Sequence, residues 1–149
     1  MKTQITLFSI VTVLLTECDP ATYVSNKHYF KEDYSISSVN APSYPFSDEP
    51  NETPINISFP KQGEFSLQLS ANTCGGQYNA SKDGTISFTN TNCTLSCCES
   101  GWDHYILTLL RKSTRYEGGE DGPLYLYIDN KNYLILDISL DEGFIPTDN

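Results

Sequence analysis

Basic residues are scarce in this chain: nine Lys and Arg stand against 19 Asp and Glu, giving a formal charge of −10 and a pI near 4.4. Such a surface repels phosphate and forfeits the counterion-release term that supplies most nucleic-acid affinity, so DNA and RNA partners are excluded. Histidine is nearly missing, with only His28 and His104. Nucleophilic catalysis needs a nucleophile, a base and an orienting group held together, and two isolated histidines offer little for it. No Gly-x-Ser-x-Gly elbow, phosphate loop or dinucleotide fingerprint occurs. Glu117, Glu120 and Asp121 do cluster, but in a glycine-rich stretch that reads as a solvated charge run rather than a glycosidase pair. The expectation is therefore no enzyme and no cofactor.

What is present points to export. Met1 and Lys2 precede the uncharged, apolar-rich run Ile5–Leu15, which has the length of a secretory h-region and falls short of the roughly 20 residues that span a bilayer. Leu15-Thr16-Glu17-Cys18 follows at once and resembles the lipobox of bacterial lipoproteins, in which the Cys thiol is diacylated before the leader is cut off ahead of it. Residues 1–17 are expected to be a signal peptide and Cys18 the lipidated first mature residue, with a bacterial cell-envelope location. The alternative is a secreted or periplasmic protein. Several acyl chains on one residue hold a soluble domain stably at a membrane.

The remaining chain fits one domain, and 38% hydrophobic with 12% aromatic residues is enough for a core. Residues 18–53 are rich in Ser, Pro, Asn and Tyr and show no sustained period, which reads as a flexible tether; their scattered aromatics offer the alternative of an early strand. After Pro54 the texture changes to alternation. Ile55–Phe59, Glu64–Ser70, Gln77-Tyr78, Thr85–Thr89, Thr114–Tyr116, Leu124–Ile128 and Tyr133–Ile138 each read as strands, joined by turns at 61–63, 81–84 and 129–132. A single helix starts at the capping box Ser100 with Asp103, and Trp102, Tyr105, Ile106, Leu109 and Leu110 share its apolar face. The fold class is mainly β with one helix (α+β): an antiparallel curled sheet or partial barrel over residues 54–140, followed by a frayed tail at 141–149. On the strand Leu124–Ile128, either the leucines or Tyr125 and Tyr127 must face away from the core, and tyrosines outside would mark a ligand face.

Setting Cys18 aside leaves Cys74, Cys93, Cys97 and Cys98, an even set that in an exported chain reads first as disulfides. With His104 they are also soft ligands, which keeps a zinc-binding domain as a distant third reading, yet the paired Cys-x-x-Cys knuckles of a zinc site are absent, and no metal is expected. Spacing alone selects none of the three pairings.

The series Asn72-Thr-Cys-Gly-Gly-Gln-Tyr78, Gly84-Thr-Ile-Ser-Phe88 and Thr94-Leu-Ser-Cys-Cys98, then a helix, Tyr116 and a Leu-rich hairpin, resembles the META (HslJ-like) domain, in the Cys-rich form found in lipoproteins of Bacteroidetes-type bacteria. The resemblance implies a small envelope-associated domain without an established catalytic activity. It also implies the links Cys74–Cys98 and Cys93–Cys97, because Cys74 and Cys98 fall on the family's two recurrent cysteines. A structural or binding role follows, with the membrane engaged through the lipid and with a protein, glycan or small molecule as candidate ligand.

Overall fold

The alternation read from the sequence is realised as strands whose apolar residues point to one side. The computed structural model describes residues 28–50, 52–95 and 100–139. Its elements are β1 (Tyr34–Asn40), β2 (Asn56–Lys61), β3 (Glu64–Gln68), β4 (Thr73–Ala80), β5 (Ile86–Cys93), α1 (Gly101–Lys112), β6 (Arg115–Gly118), β7 (Leu124–Tyr127) and β8 (Tyr133–Ile138). All eight strands form one antiparallel sheet in the order β5-β4-β3-β2-β1-β8-β7-β6. The sheet curls until its two edges touch. Thr85 bridges Arg115, the Ile86 amide donates to the Thr114 carbonyl at 3.0 Å, and the Tyr116 amide donates to the Gly84 carbonyl at 2.7 Å.

Hairpin turns set the register. Gly63 (φ +86°) and Gly84 (φ +89°) take left-handed conformations that a side chain would strain, and they close the β2–β3 and β4–β5 connections. Inside the curl, Ile57, Leu67, Leu124, Leu126, Leu134 and Leu136 are fully buried. Helix α1 fits against this interior with Ile106, Leu109 and Leu110, together with Leu107. Its first turn is fixed by the expected capping box: the Ser100 hydroxyl accepts from the Asp103 amide at 3.1 Å while Asp103 accepts from the Ser100 amide at 3.4 Å. The buried Asp103 carboxylate also accepts from the Ser70 hydroxyl, pinning the helix start to the β3–β4 turn.

Three expectations are corrected. The stretch from residue 28 onward within the supposed 18–53 tether is part of the domain: β1 lies between β2 and β8, and Phe30 and Tyr34 are completely buried. Its pattern escaped the period-of-two reading because a register shift between Ile36 and Ser38 interrupts the alternation. Trp102 is only half-buried, since it packs on Phe46 and Tyr105 with ring centroids 5.2 and 5.4 Å away, beside the core instead of within it. Finally, Cys74 bonds Cys93, its direct partner in the β4–β5 register, which rules out both Cys74–Cys98 and Cys93–Cys97. Cys97 and Cys98 themselves, the expected leader with Cys18, and the tail 141–149 lie outside the described residues.

Three outcomes test this arrangement. A chain beginning at residue 28 folds cooperatively in urea, whereas one beginning at residue 54, which lacks β1, shows no cooperative transition. Non-reducing peptide mapping recovers Cys74 joined to Cys93. The double change Cys74→Ser with Cys93→Ser lowers stability by about 3 kcal/mol, the loop-entropy expectation for a link of this span.

Candidate functional site

The end of the curl away from the Ser70–Asp103 contact is built from the 61–64 turn, the 81–84 turn and the 118–123 loop. The chain from His28 to Asp33 crosses it. The His28 amide donates to the Ala80 carbonyl at 2.8 Å, and Phe30 drops into the opening, its ring 4.6 to 5.7 Å from those of His28, Phe59, Tyr116 and Tyr78. Gly119 lets it approach: with φ at +87°, a Cβ there would sit 3.2 Å from both Phe30 and Leu124. The Tyr34 hydroxyl donates to the Gly119 carbonyl at 2.7 Å. Burial foremost, with Glu32 and Asp121 nearby, pushes that phenol up to about 12.

His28 borders three hollows at this end. One of about 90 Å³ runs along Gln62, Gly63 and Tyr78; a second of about 340 Å³ lies towards Lys31, Glu32, Glu120 and Asp121; a third of about 440 Å³ reaches Lys82 and Tyr116. Two polar atoms here, His28 Nε2 and Tyr78 Oη, are buried without a hydrogen-bond partner among the described residues. Burial raises the Tyr78 phenol, opposed by the backbone amides of Gly63 and Phe30, which lie nearby but outside hydrogen-bond geometry. Burial likewise holds His28 below its usual 6.5, with Glu120 opposing and Lys82 assisting.

A second locus lies outside. Leu124 and Leu126 turn inward and are fully buried, so Tyr125 and Tyr127 point out from β7. Their rings are near-parallel, 20° apart with centroids at 6.3 Å, and Tyr133 on β8 stands 5.4 Å from Tyr127. The Arg115 guanidinium lies 4.1 Å over the Tyr127 ring and pairs with Glu117, which accepts from the Tyr127 hydroxyl at 3.2 Å. Burial is the first cause holding the Tyr127 phenol above its usual value, followed by the hydrogen bond to Glu117. On the other flank, Ser38 and Asn40 of β1 stand directly opposite Ile135 and Tyr133, and both are exposed.

The other candidates from the sequence are not gathered into a site. His104 is exposed on α1, and Glu120 and Asp121 are exposed in the loop apart from the ion-paired Glu117. Among the described residues, no group of three or more His, Cys, Asp or Glu is placed to hold a metal. Phe30 and Tyr34 fall within the early-strand alternative for the 18–53 stretch, but sequence reasoning gave them no place at a site, and it missed the buried Asn132. Asn132 donates to both Asp129 carboxylate oxygens at 2.8 and 2.7 Å, and its own carbonyl accepts from the Ser43 amide at 2.9 Å.

The state of His28 gives a pH signature. The unfolded chain takes up the proton near 6.5, while the folded chain does so only at lower pH, so the unfolded state binds more protons between the two values. Stability is then whole above 6.5 and declines as pH falls through that window. Urea titrations between pH 7.5 and 5.5 should show this decline in the parent protein, and His28→Phe, which keeps an aromatic ring beside Phe30 and Tyr116, should flatten it.

Known proteins share this architecture. A solved DUF4847 family protein from Bacteroides vulgatus superimposes with a TM-score of 0.55 at 15% identity, covering 73% of this chain and 93% of its own. A protein from Burkholderia xenovorans, solved by NMR, gives 0.55 at 21% identity, covering 73% and 82%. At these identities the likeness concerns the fold. No curated protein matches the sequence. The profile of the META domain matches residues 28–137, beginning where the described chain enters the mouth of the curl and ending in β8, and the chain accordingly belongs to the META domain family.

Proposed function

We propose that this chain is a non-catalytic binding domain of the bacterial cell envelope, held at the membrane by lipid on Cys18, whose recognition surface is the outward tyrosine face of β7 and β8. The observation that carries the reading is the orientation of β7: its leucines fill the core, and Tyr125 and Tyr127 are displayed beside Tyr133. Outward aromatic rings also stabilise a sheet through cross-strand pairs such as Tyr127 with Tyr133, and a row of three of them adds what a binding face uses, rigid, amphipathic contact area of low conformational entropy. The hollows around His28 support a ligand less well. Nε2 of His28 and Oη of Tyr78 are sealed from solvent, so a molecule in those hollows does not meet the groups that lack partners.

The anchor rests on sequence: an apolar-rich run of h-region length leading into Leu15-Thr16-Glu17-Cys18. No helix of the described residues is long and apolar enough to cross a membrane, so a lipid on Cys18 would give the domain its hold on the bilayer.

Three measurements test the proposal. Cys18→Ala should move the protein from the membrane fraction to the soluble fraction, and mass spectrometry of the parent should find an acylated N-terminal cysteine; unchanged fractionation would defeat the anchor. A photo-crosslinking residue placed at Tyr125 in living cells should form a discrete adduct that the same residue at exposed Ser87 on β5 does not. Adducts absent from position 125, or equal at both, would leave the face without a binding role.

A further inference from the structure

Resting on that reading of the face, we infer that its ligand is a neutral glycan chain. Three properties of the surface select this chemistry over a protein, an acidic polymer or a lipid. The first is its mixed texture. Rings of Tyr125, Tyr127 and Tyr133, with Ile135 opposite Tyr125, sit between two polar borders, Ser38 and Asn40 along β1 and the Arg115–Glu117 pair along β6. Sugars present C–H patches that pack on aromatic rings and a hydroxyl periphery that needs donors and acceptors close by, which is the pattern the face offers.

Apolar area is the second property. The tyrosines of this face are half-buried, and the large hydrophobics that stand exposed among the described residues, Tyr29 and Leu95, belong to other parts of the surface. A stable protein interface requires a contiguous patch, on the order of 1,000 Å² in total with an apolar centre, and lipid tails require more apolar surface still. A sugar chain needs only a ring or two.

Charge is the third. Arg115 and Glu117 neutralise one another on the face, and the chain as a whole carries −10, so an anionic polysaccharide gains no attraction and meets a repulsive field. An uncharged chain is indifferent to that field. The ion pair has a positioning task instead: the guanidinium over the Tyr127 ring and the carboxylate on its hydroxyl hold Tyr127 in one orientation against its two ring neighbours, Tyr125 and Tyr133. Fixing the rings beforehand removes an ordering cost from binding.

The test is an NMR titration of the isotopically labelled protein with cellotetraose, maltotetraose and tetra-N-acetylchitotetraose, with tetragalacturonic acid as the anionic counterpart. At least one neutral tetrasaccharide should shift amides of residues 125–135 saturably and with little dependence on salt, and the acid should not. Tyr133→Ala and Tyr125→Ala should each weaken that binding about tenfold or more, the loss expected for one stacking contact with its buried area, while Ser87→Ala leaves it unchanged. Unaltered circular dichroism shows whether each variant is folded, and two separate tyrosines keep the test decisive if one variant is not. Absence of binding by all three neutral sugars, tetragalacturonate binding as tightly, or binding indifferent to both tyrosines would overturn the inference. If crosslinks nevertheless form at position 125, the face remains a binding surface and only the glycan falls; if neither occurs, both fall together.

Discussion

Between β2 and β8 there is room for one strand, and β1 fills it, running along β8 from the Tyr34–Ile138 pair to the Asn40–Tyr133 pair while its first residues meet β2. Take β1 away and, within the sheet, β2 to β5 stay joined to β6 to β8 only through the short Thr85–Arg115 contact, with the facing edges of β2 and β8 left unpaired. Buried backbone groups left without partners cost about 1–3 kcal/mol apiece, so neither half is a sound unit. The curl depends on the same strand. The β5 and β6 edges meet at Thr85 and Arg115 with β1 among the strands that span the distance round the sheet between them. The segment leading into β1 then supplies Phe30, which fills the mouth that the bending leaves.

Most strands of this fold were legible because each carries its own turn chemistry and an unbroken alternation. Ile57 and Phe59, Phe65 and Leu67, or Leu124 and Leu126 stand two apart and are all buried, and the Asp83-Gly84 and Asp129–Asn132 turns fix where such runs reverse. β1 was obscure for a local reason. Tyr34 and Ile36 obey the alternation, but the shift at Ser37 hands the inward position to Val39, and a run of three serines at 35, 37 and 38 reads as linker. Trp102 shows the opposite error: its helical phase is close to that of Ile106, yet at the first turn of α1 the neighbouring surface is the Phe46 loop rather than the sheet. Helical phase alone does not tell which neighbour covers a residue.

At the cysteines and the candidate site, the division between legible and hidden is different again. Spacing left the pairings open, and the likeness to a family favoured Cys98 for Cys74; what decides is the strand register, which sets Cys93 directly across from Cys74. Register is a property of two strands together and is written in neither alone. The outward tyrosines were visible as one of two alternatives, and burial of Leu124 and Leu126 chooses between them. Arg115 over Tyr127 could not be foreseen, because it requires β6 to lie beside β7 with Arg115 opposite Tyr127.

The pairing of β1 with β8 also brings the last described residue to the start of β1, at the end of the curl that the segment from His28 crosses: the Ser139 amide donates to the Asp33 carbonyl at 2.7 Å. Chain enters and leaves at the same end of the curl, so a linker long enough to cross that mouth could join the two points and the chain could be cut open elsewhere, as at the exposed 82–83 tip, without altering the path of any strand. Topologically the domain is a ring interrupted at one place, and it can be inserted as a closed loop into a host protein as readily as it can be hung from one end.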